Sequence, residues 1–435
     1  MRKLLQNYLP ISIKKRKLIE YLKALSKMLP VLLYSFNATV NQLDAVFQSR
    51  YRCFLKTNPS DVMRSSVSSD DRLLLVNQGG LRTILVHKLL CLKRKCAVDE
   101  RKVLGLGRRV VSRINKIRSC ATCVATLTGH RVFVNSLAFH RTKQLIATGS
   151  TDRTTRLWRL SSDNSSATCV ATLEGHSSSV TSVAFHPTAQ LLATASWDRT
   201  VMLWLLSSDN SSATCLATLK GHSSWVNSVA FHPTAPFLAT CSYDHTVRLW
   251  RLSSDNSSAT CVATLAGHSD SVNSVVFHPM APLLATGSTD GTVILWSFSP
   301  DGSTATYVAT LEGHSNGVSS VAFHPTAPLL ATGSWDNTVM LWRLSLDGSS
   351  PTCVATLEGH SSSVNSVAFH PTAPLLATGS NDSTVKLWLL SPDNSSATCI
   401  ATLAGHCSSV TSVAFHPTAP LLATGSWDNT AKLWC

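Results

Sequence analysis

From about residue 119 onward, apolar runs of five to eight residues alternate with short polar stretches. One set reads SVTSVAFH at 179–186, LLATAS at 191–196 and TVMLW at 200–204. Each run is rich in Val, Leu, Thr and aromatic residues, too short for an ordinary helix and bounded by turn residues, so the pattern predicts three strands. A further run, TCVATL at 168–173, follows the loop SSDNSS, whose Ser, Asp and Asn favour a turn. It predicts a fourth strand ahead of the three.

The set repeats. A Gly-His pair begins at 129, 175, 221, 267, 313, 359 and 405, always 46 residues from the last. The internal ruler is constant: His130 is followed after 22 residues by Asp152, after six more by Trp158 and after 18 more by His176, and the spacing runs through to His406, Asp428 and Trp434. A four-stranded sheet cannot cover both of its faces alone, so neighbouring copies must stack and the row must close or be capped. The last copy reaches only its third strand at Trp434, whereas CATCVATL at 120–127 is a fourth strand with no three before it. This early strand is expected to complete the last sheet and remove the exposed edges.

These units are similar to WD repeats, and residues 119–435 resemble a seven-bladed β-propeller of that family. The fold expected from the resemblance is all-β, with four-stranded antiparallel blades. The Asp that usually follows the Trp is replaced by Arg159, Leu205, Arg251, Ser297, Arg343, Leu389 and Cys435, while the turn Asp six residues before each Trp is present seven times. The resemblance implies that His130, Thr148, Asp152 and Trp158 form a buried hydrogen-bonded tetrad. It would recur as His176, Thr194, Asp198 and Trp204, and so on to His406, Thr424, Asp428 and Trp434. A hydroxyl, an imidazole and a carboxylate also suggest a nucleophile, base and orienter. Recurrence in seven copies points instead to construction, since a buried polar network must satisfy every member, and no catalytic residue is assigned.

If shared residues build the scaffold, partner information lies where the copies differ. In WD-repeat propellers the residue before the turn Asp, and those three and five after the Gly-His histidine, face the mouth of the central channel. Here the first set is Thr151, Trp197, Tyr243, Thr289, Trp335, Asn381 and Trp427. The three-after set is Phe133, Ser179, Trp225, Ser271, Gly317, Ser363 and Ser409, and the five-after set is Asn135, Thr181, Asn227, Asn273, Ser319, Asn365 and Thr411. Phe133, Trp197, Trp225 and Tyr243 stand out as an aromatic arc in blades one to three, joined as candidate partner-binding residues by Trp335 and Trp427. Exposed rings bury much area at little entropic cost when a partner binds; the same rings could instead pack on neighbouring turns.

Charge changes the picture for the other end of the chain. Residues 1–118 carry 25 Lys and Arg against 7 Asp and Glu, a net +18, whereas residues 119–435 carry 13 against 17, a net −4. The N-terminal segment is therefore expected to be basic and partly helical or disordered, with a helix from near Ile13 to before Pro30. Three readings of its charge stand side by side: a nuclear-import signal at Lys14, Lys15, Arg16 and Lys17, contact with nucleic acid, and a solvated tail. Residues 29–54 also resemble an F-box, the helical module of ubiquitin-ligase receptors that often precedes WD repeats.

No apolar run approaches the length of a membrane span. The 13 cysteines are odd in number and several recur at one repeat position, which suits a reducing, intracellular compartment, cytoplasmic or nuclear. Cys91, Cys96, Cys120 and Cys123 form two close pairs that could hold zinc. Because Cys123 is the same repeat position as Cys169, Cys215, Cys261, Cys353 and Cys399, no metal or other cofactor is assigned. The expectation is a non-enzymatic scaffold or adaptor, a monomeric propeller within a larger complex that presents its channel mouth to proteins or peptides. The alternatives are an RNA- or chromatin-associated propeller that uses residues 1–118, and an F-box-like substrate receptor.

Overall fold

The computed structural model describes residues 122–299, 304–345 and 348–435. They form 28 strands, numbered β1 to β28 in chain order, in seven four-stranded antiparallel sheets. The first blade is β2 (Val134–Phe139), β3 (Leu145–Ser150), β4 (Thr155–Leu160) and β5 (Ala167–Leu173), hydrogen-bonded in that order. In the second blade the predicted runs are the strands Val180–Phe185, Leu191–Ser196 and Thr200–Leu206.

Burial explains the residue types. Every residue of β3 is buried, because a second strand is covered on both faces by the adjacent blades, and its sequence LIATGS is accordingly apolar or small, with the hydroxyls of Thr148 and Ser150 hydrogen-bonded. The outer β5 keeps its sulfur and hydroxyl positions exposed and buries only Leu173. The seven buried clusters each join two neighbouring blades. One contains Leu145 and Leu157 of the first blade with Val183, Trp204 and Leu206 of the second. Another joins Leu421, Ala423 and Leu433 of the last blade to Ile146, Trp158 and Leu160 of the first. No blade has a core of its own, so the ring is stable only when stacked.

Closure follows the expected route. The last sheet has the order β1 (Cys123–Leu127), β28 (Ala431–Trp434), β27 (Leu422–Ser426), β26 (Val410–Phe415), with Cys123 opposite Trp434 and Leu127 opposite Ala431. Thr122 and Cys435 exchange backbone hydrogen bonds beyond the last pair.

A ring of contacts at one end ties blade to blade. The histidine that closes each first strand packs against the phenylalanine of the next blade: His140 on Phe185, His186 on Phe231, and onward until His416 meets Phe139 of the first blade, with ring centres 4.9–5.1 Å apart. The Nδ1 of each imidazole accepts backbone N–H bonds from the loop that follows, as His186 does from Thr188 and Ala189 at 3.2 and 2.9 Å. The Asn of the SSDNSS-type loops, at 164, 210, 256 and 394, takes a left-handed conformation with φ of 54–58°. They are therefore turn residues, as their chemistry suggests.

Candidate functional site

The end opposite the His–Phe ring carries the loop before each first strand and the turn between each second and third strand. All seven tetrads stitch this end together. In the first, His130 Nδ1 lies 2.8 Å from Asp152 Oδ2 and Nε2 lies 2.7 Å from Thr148 Oγ1. The Trp158 indole N–H donates to the same Thr oxygen at 2.8 Å. In the other six the corresponding distances lie within 2.6–2.9 Å.

The donor order follows from chemistry. An ionised carboxylate only accepts, so Nδ1 carries the proton; Nε2 is then an acceptor for the Thr hydroxyl, whose oxygen accepts from the indole. The carboxylate is further loaded by the Arg131 amide and by the amide and hydroxyl of Thr154. Burial pushes the Asp152 carboxyl up, but the hydrogen bonds from His130 and Thr154 outweigh it and hold the group well below the carboxylate range. The equivalent Asp382 is held at about 2 by the same balance, with Thr384 and His360 as the leading donors. For His268, His360 and His406 burial dominates and lowers the imidazole pKa despite the neighbouring Asp.

Hydroxyl, imidazole and carboxylate thus meet in the order of a hydrolytic triad. Burial and bonding give them another task. Thr148, Thr194 and Thr424 are wholly buried, and their oxygens are each occupied by an indole N–H, leaving no approach for a substrate. The tetrad clamps the turn to the loop.

The clamp sets the outward residues beside one another. Phe133, Trp197, Trp225, Tyr243, Trp335 and Trp427 are 38–50% exposed, far more than the 3–4% of the tetrad tryptophans Trp158 and Trp204. A backbone bond from Tyr243 N–H to Trp225 O, 2.8 Å, and its counterpart from Trp197 to Ser179, 3.0 Å, hold each turn against its own blade's loop. Five of these six rings fall into two groups. Trp197 stacks on Trp225 at 4.9 Å, and Trp225 meets Tyr243 at 5.3 Å. Phe133 stacks at 5.3 Å on Trp427 of the last blade. Trp197 and Trp427 each lean on the three-after residue of the following blade, which pairs Phe133 with Trp427 across the ring closure, whereas Tyr243 meets Trp225 of its own blade. Trp335 lies over Gly317, where an added Cβ would come within 2.7 Å of its ring.

The five-after residues bond across blades. Asn135 donates to Val180 O at 2.9 Å, Thr181 to Val226 O at 2.6 Å, Asn227 and Asn273 to the corresponding Val at 3.0 Å, and Thr411 to Val134 O at 2.6 Å. With Ser319 and Asn365 they complete a seven-membered inter-blade belt. Only short side chains with a donor fit it, which explains why the set is confined to Asn, Thr and Ser.

The basic helix near Ile13, Lys14–Lys17, the F-box-like stretch and three of the four paired cysteines lie outside the described residues. Cys123 is an exposed thiol of an outer strand. Among the described residues no cluster of three or more metal-binding side chains occurs, and no helix is long and apolar enough to cross a membrane.

A family model for the WD domain, G-beta repeat, matches residues 121–159, 167–204, 213–251, 259–297, 305–343, 351–388 and 397–435. No curated protein matches the chain.

Proposed function

Because the chain belongs to the WD domain, G-beta repeat family, whose propellers are typically non-catalytic and generally bind proteins, we propose that it is a scaffold or adaptor. In this reading it holds protein or peptide partners on the end that carries the tetrad turns. The observation that carries the reading is the exposure of Trp197, Trp225 and Tyr243 on turns that seven buried tetrads immobilise. Leaving large rings in water is unfavourable unless a partner covers them, and a preorganised surface loses little entropy when it binds. The propeller acts as a monomer within a larger assembly. The nine described cysteines are free thiols and eight are exposed, which supports a reducing, intracellular compartment.

Capture on the full chain tests the reading. Partners retained by the wild type should be lost from the Trp225→Ala/Tyr243→Ala double variant; retention of the same partners at the same affinity would remove it.

A second reading rests on the +18 net charge of residues 1–118: an RNA- or chromatin-associated propeller in which that segment is the main binding element. Binding would then fall steeply with salt and disappear when residues 1–118 are deleted. An F-box-like receptor would bind a ubiquitin-ligase subunit through residues 29–54, and deleting them would abolish that contact while leaving the propeller's partners bound.

A further inference from the structure

Beside the aromatic groups, the repeat is replaced by Arg or His at positions confined to three consecutive blades. The residue after the turn Asp is left-handed in every blade: Gly291, Asn337, Ser383 and Asn429 occupy it in the last four, with φ of 66–83°. Gly and Asn suit that conformation. In the first three blades the place is held by Arg153, Arg199 and His245, with φ of 71°, 70° and 67°. A long or ring-bearing side chain there carries a conformational penalty that Gly or Asn avoids. The residue after the tetrad histidine departs in the same sector, being Arg131 where five blades have Ser and one has Cys407.

All four side chains are exposed: Arg199 and His245 on the turns of Trp197 and Tyr243, Arg131 on the loop of Phe133, and Arg153 on the first blade's turn beside Thr151. Trp197 and Arg199 share one turn, closed by the Arg199 N–H bond to Ser196 O, and Tyr243 and His245 share the next. The guanidinium groups of Arg131, Arg153 and Arg199 have no hydrogen bond or ion pair among the described residues, and the turn carboxylates between them are already engaged within the tetrads. Asp270 Oδ1 lies 4.0 Å from His245 Nε2 on the far side of the sector.

We propose that this basic and aromatic sector over blades one to three binds an acidic peptide segment of a partner protein, with carboxylates on Arg131, Arg153 and Arg199 and an apolar side chain on the Trp197–Trp225–Tyr243 group. The proposal rests on the reading that this end is the interaction face. Charge complementarity selects the acidic partner. A single-stranded nucleic acid fits less well: Trp197 and Trp225 stack on each other at 4.9 Å, so no slot stays open between them for a base.

The test uses the full chain and fluorescein-labelled peptides of alternating Asp, Glu and Phe, with Ser replacing the acids in a second peptide and single-stranded oligouridylate as a third probe. The triple variant Arg131→Ser/Arg153→Asn/Arg199→Asn introduces residues that other blades already use at these places, so the fold is retained, and residues 1–118 contribute equally to both proteins. The acidic peptide should bind the triple variant roughly tenfold more weakly than the wild type, and Trp225→Ala should weaken it too. Equal binding to wild type and triple variant overturns the proposal. Equal binding of the Ser and acidic peptides, both weakened by Trp225→Ala, overturns the acidic assignment and leaves the interaction face standing. Indifference of all probes to Trp225→Ala and to the triple variant removes both. Tighter binding of oligouridylate, lost in the triple variant, replaces the peptide with nucleic acid.

Discussion

Replacing Thr194 by Val separates a structural tetrad from a catalytic one. The change keeps the side-chain shape and deletes one hydroxyl. That hydroxyl accepts from Trp204 Nε1 at 2.9 Å and reaches His176 Nε2 at 2.8 Å, and the residue is wholly buried. Its loss leaves an indole N–H and an imidazole nitrogen without partners, each worth about 1–3 kcal/mol, for a total of about 2–6 kcal/mol. The two orphans share one cause, so a cycle with Trp204→Phe must be non-additive. Removing the indole N–H from the Thr194→Val protein should cost at least about 1 kcal/mol less than removing it from the wild type. Urea denaturation followed by far-ultraviolet circular dichroism measures all four proteins. A Thr194→Val cost below about 0.5 kcal/mol, or additivity of the two changes, would refute the claim that the hydroxyl is the hub of a buried network.

Acid should unfold the propeller in two stages. Burial lowers the pKa of His268, His360 and His406 and of all seven histidines in the His–Phe ring below the usual 6.5. Their neutral form is therefore favoured in the fold, and the associated stability is full above pH 6.5 and lost as pH falls below it toward the folded values. The tetrad carboxylates, such as Asp382 at about 2 against the usual 3.8, keep their contribution above pH 3.8 and lose it as pH falls toward 2. Melting temperatures across a pH series should be flat near neutrality and show both descents; a rise on acidification through 6.5 would contradict the histidine account. Arg199→Asn should stabilise by about 0.5–1 kcal/mol in the same denaturation assay, since it relieves a left-handed Arg. Leu127→Ala, in the strand that closes the ring, should cost about 2–5 kcal/mol, because Leu127 packs with Leu433 and Trp158 across the closure; a cost no larger than that of a surface substitution would argue against closure through β1.

The framework was legible because a 46-residue period fixes strands, turns and tetrads together, and the residue types at each place have one physical use. Contacts between copies were harder to read. A Phe-His pair closes the first strand of every unit, yet only closure shows that His416 ends on Phe139. The same holds for Phe133, whose stacking partner Trp427 is distant in sequence and adjacent in the ring. Position alone also does not reveal that a carbonyl of the next blade captures the side chains of Asn135 and Thr181. Arg153, Arg199 and His245 were visible as substitutions in the turn, but their left-handed backbone, which gives the substitution its meaning, was not.

Hydrogen–deuterium exchange on the full chain, with and without a captured partner, tests the central claim most directly. The account predicts added protection in the loop and turn peptides around Trp197, Trp225 and Tyr243, with none in the loops after His186 and His232 at the opposite end. Protection confined to those opposite loops, or to residues 1–118, would contradict it.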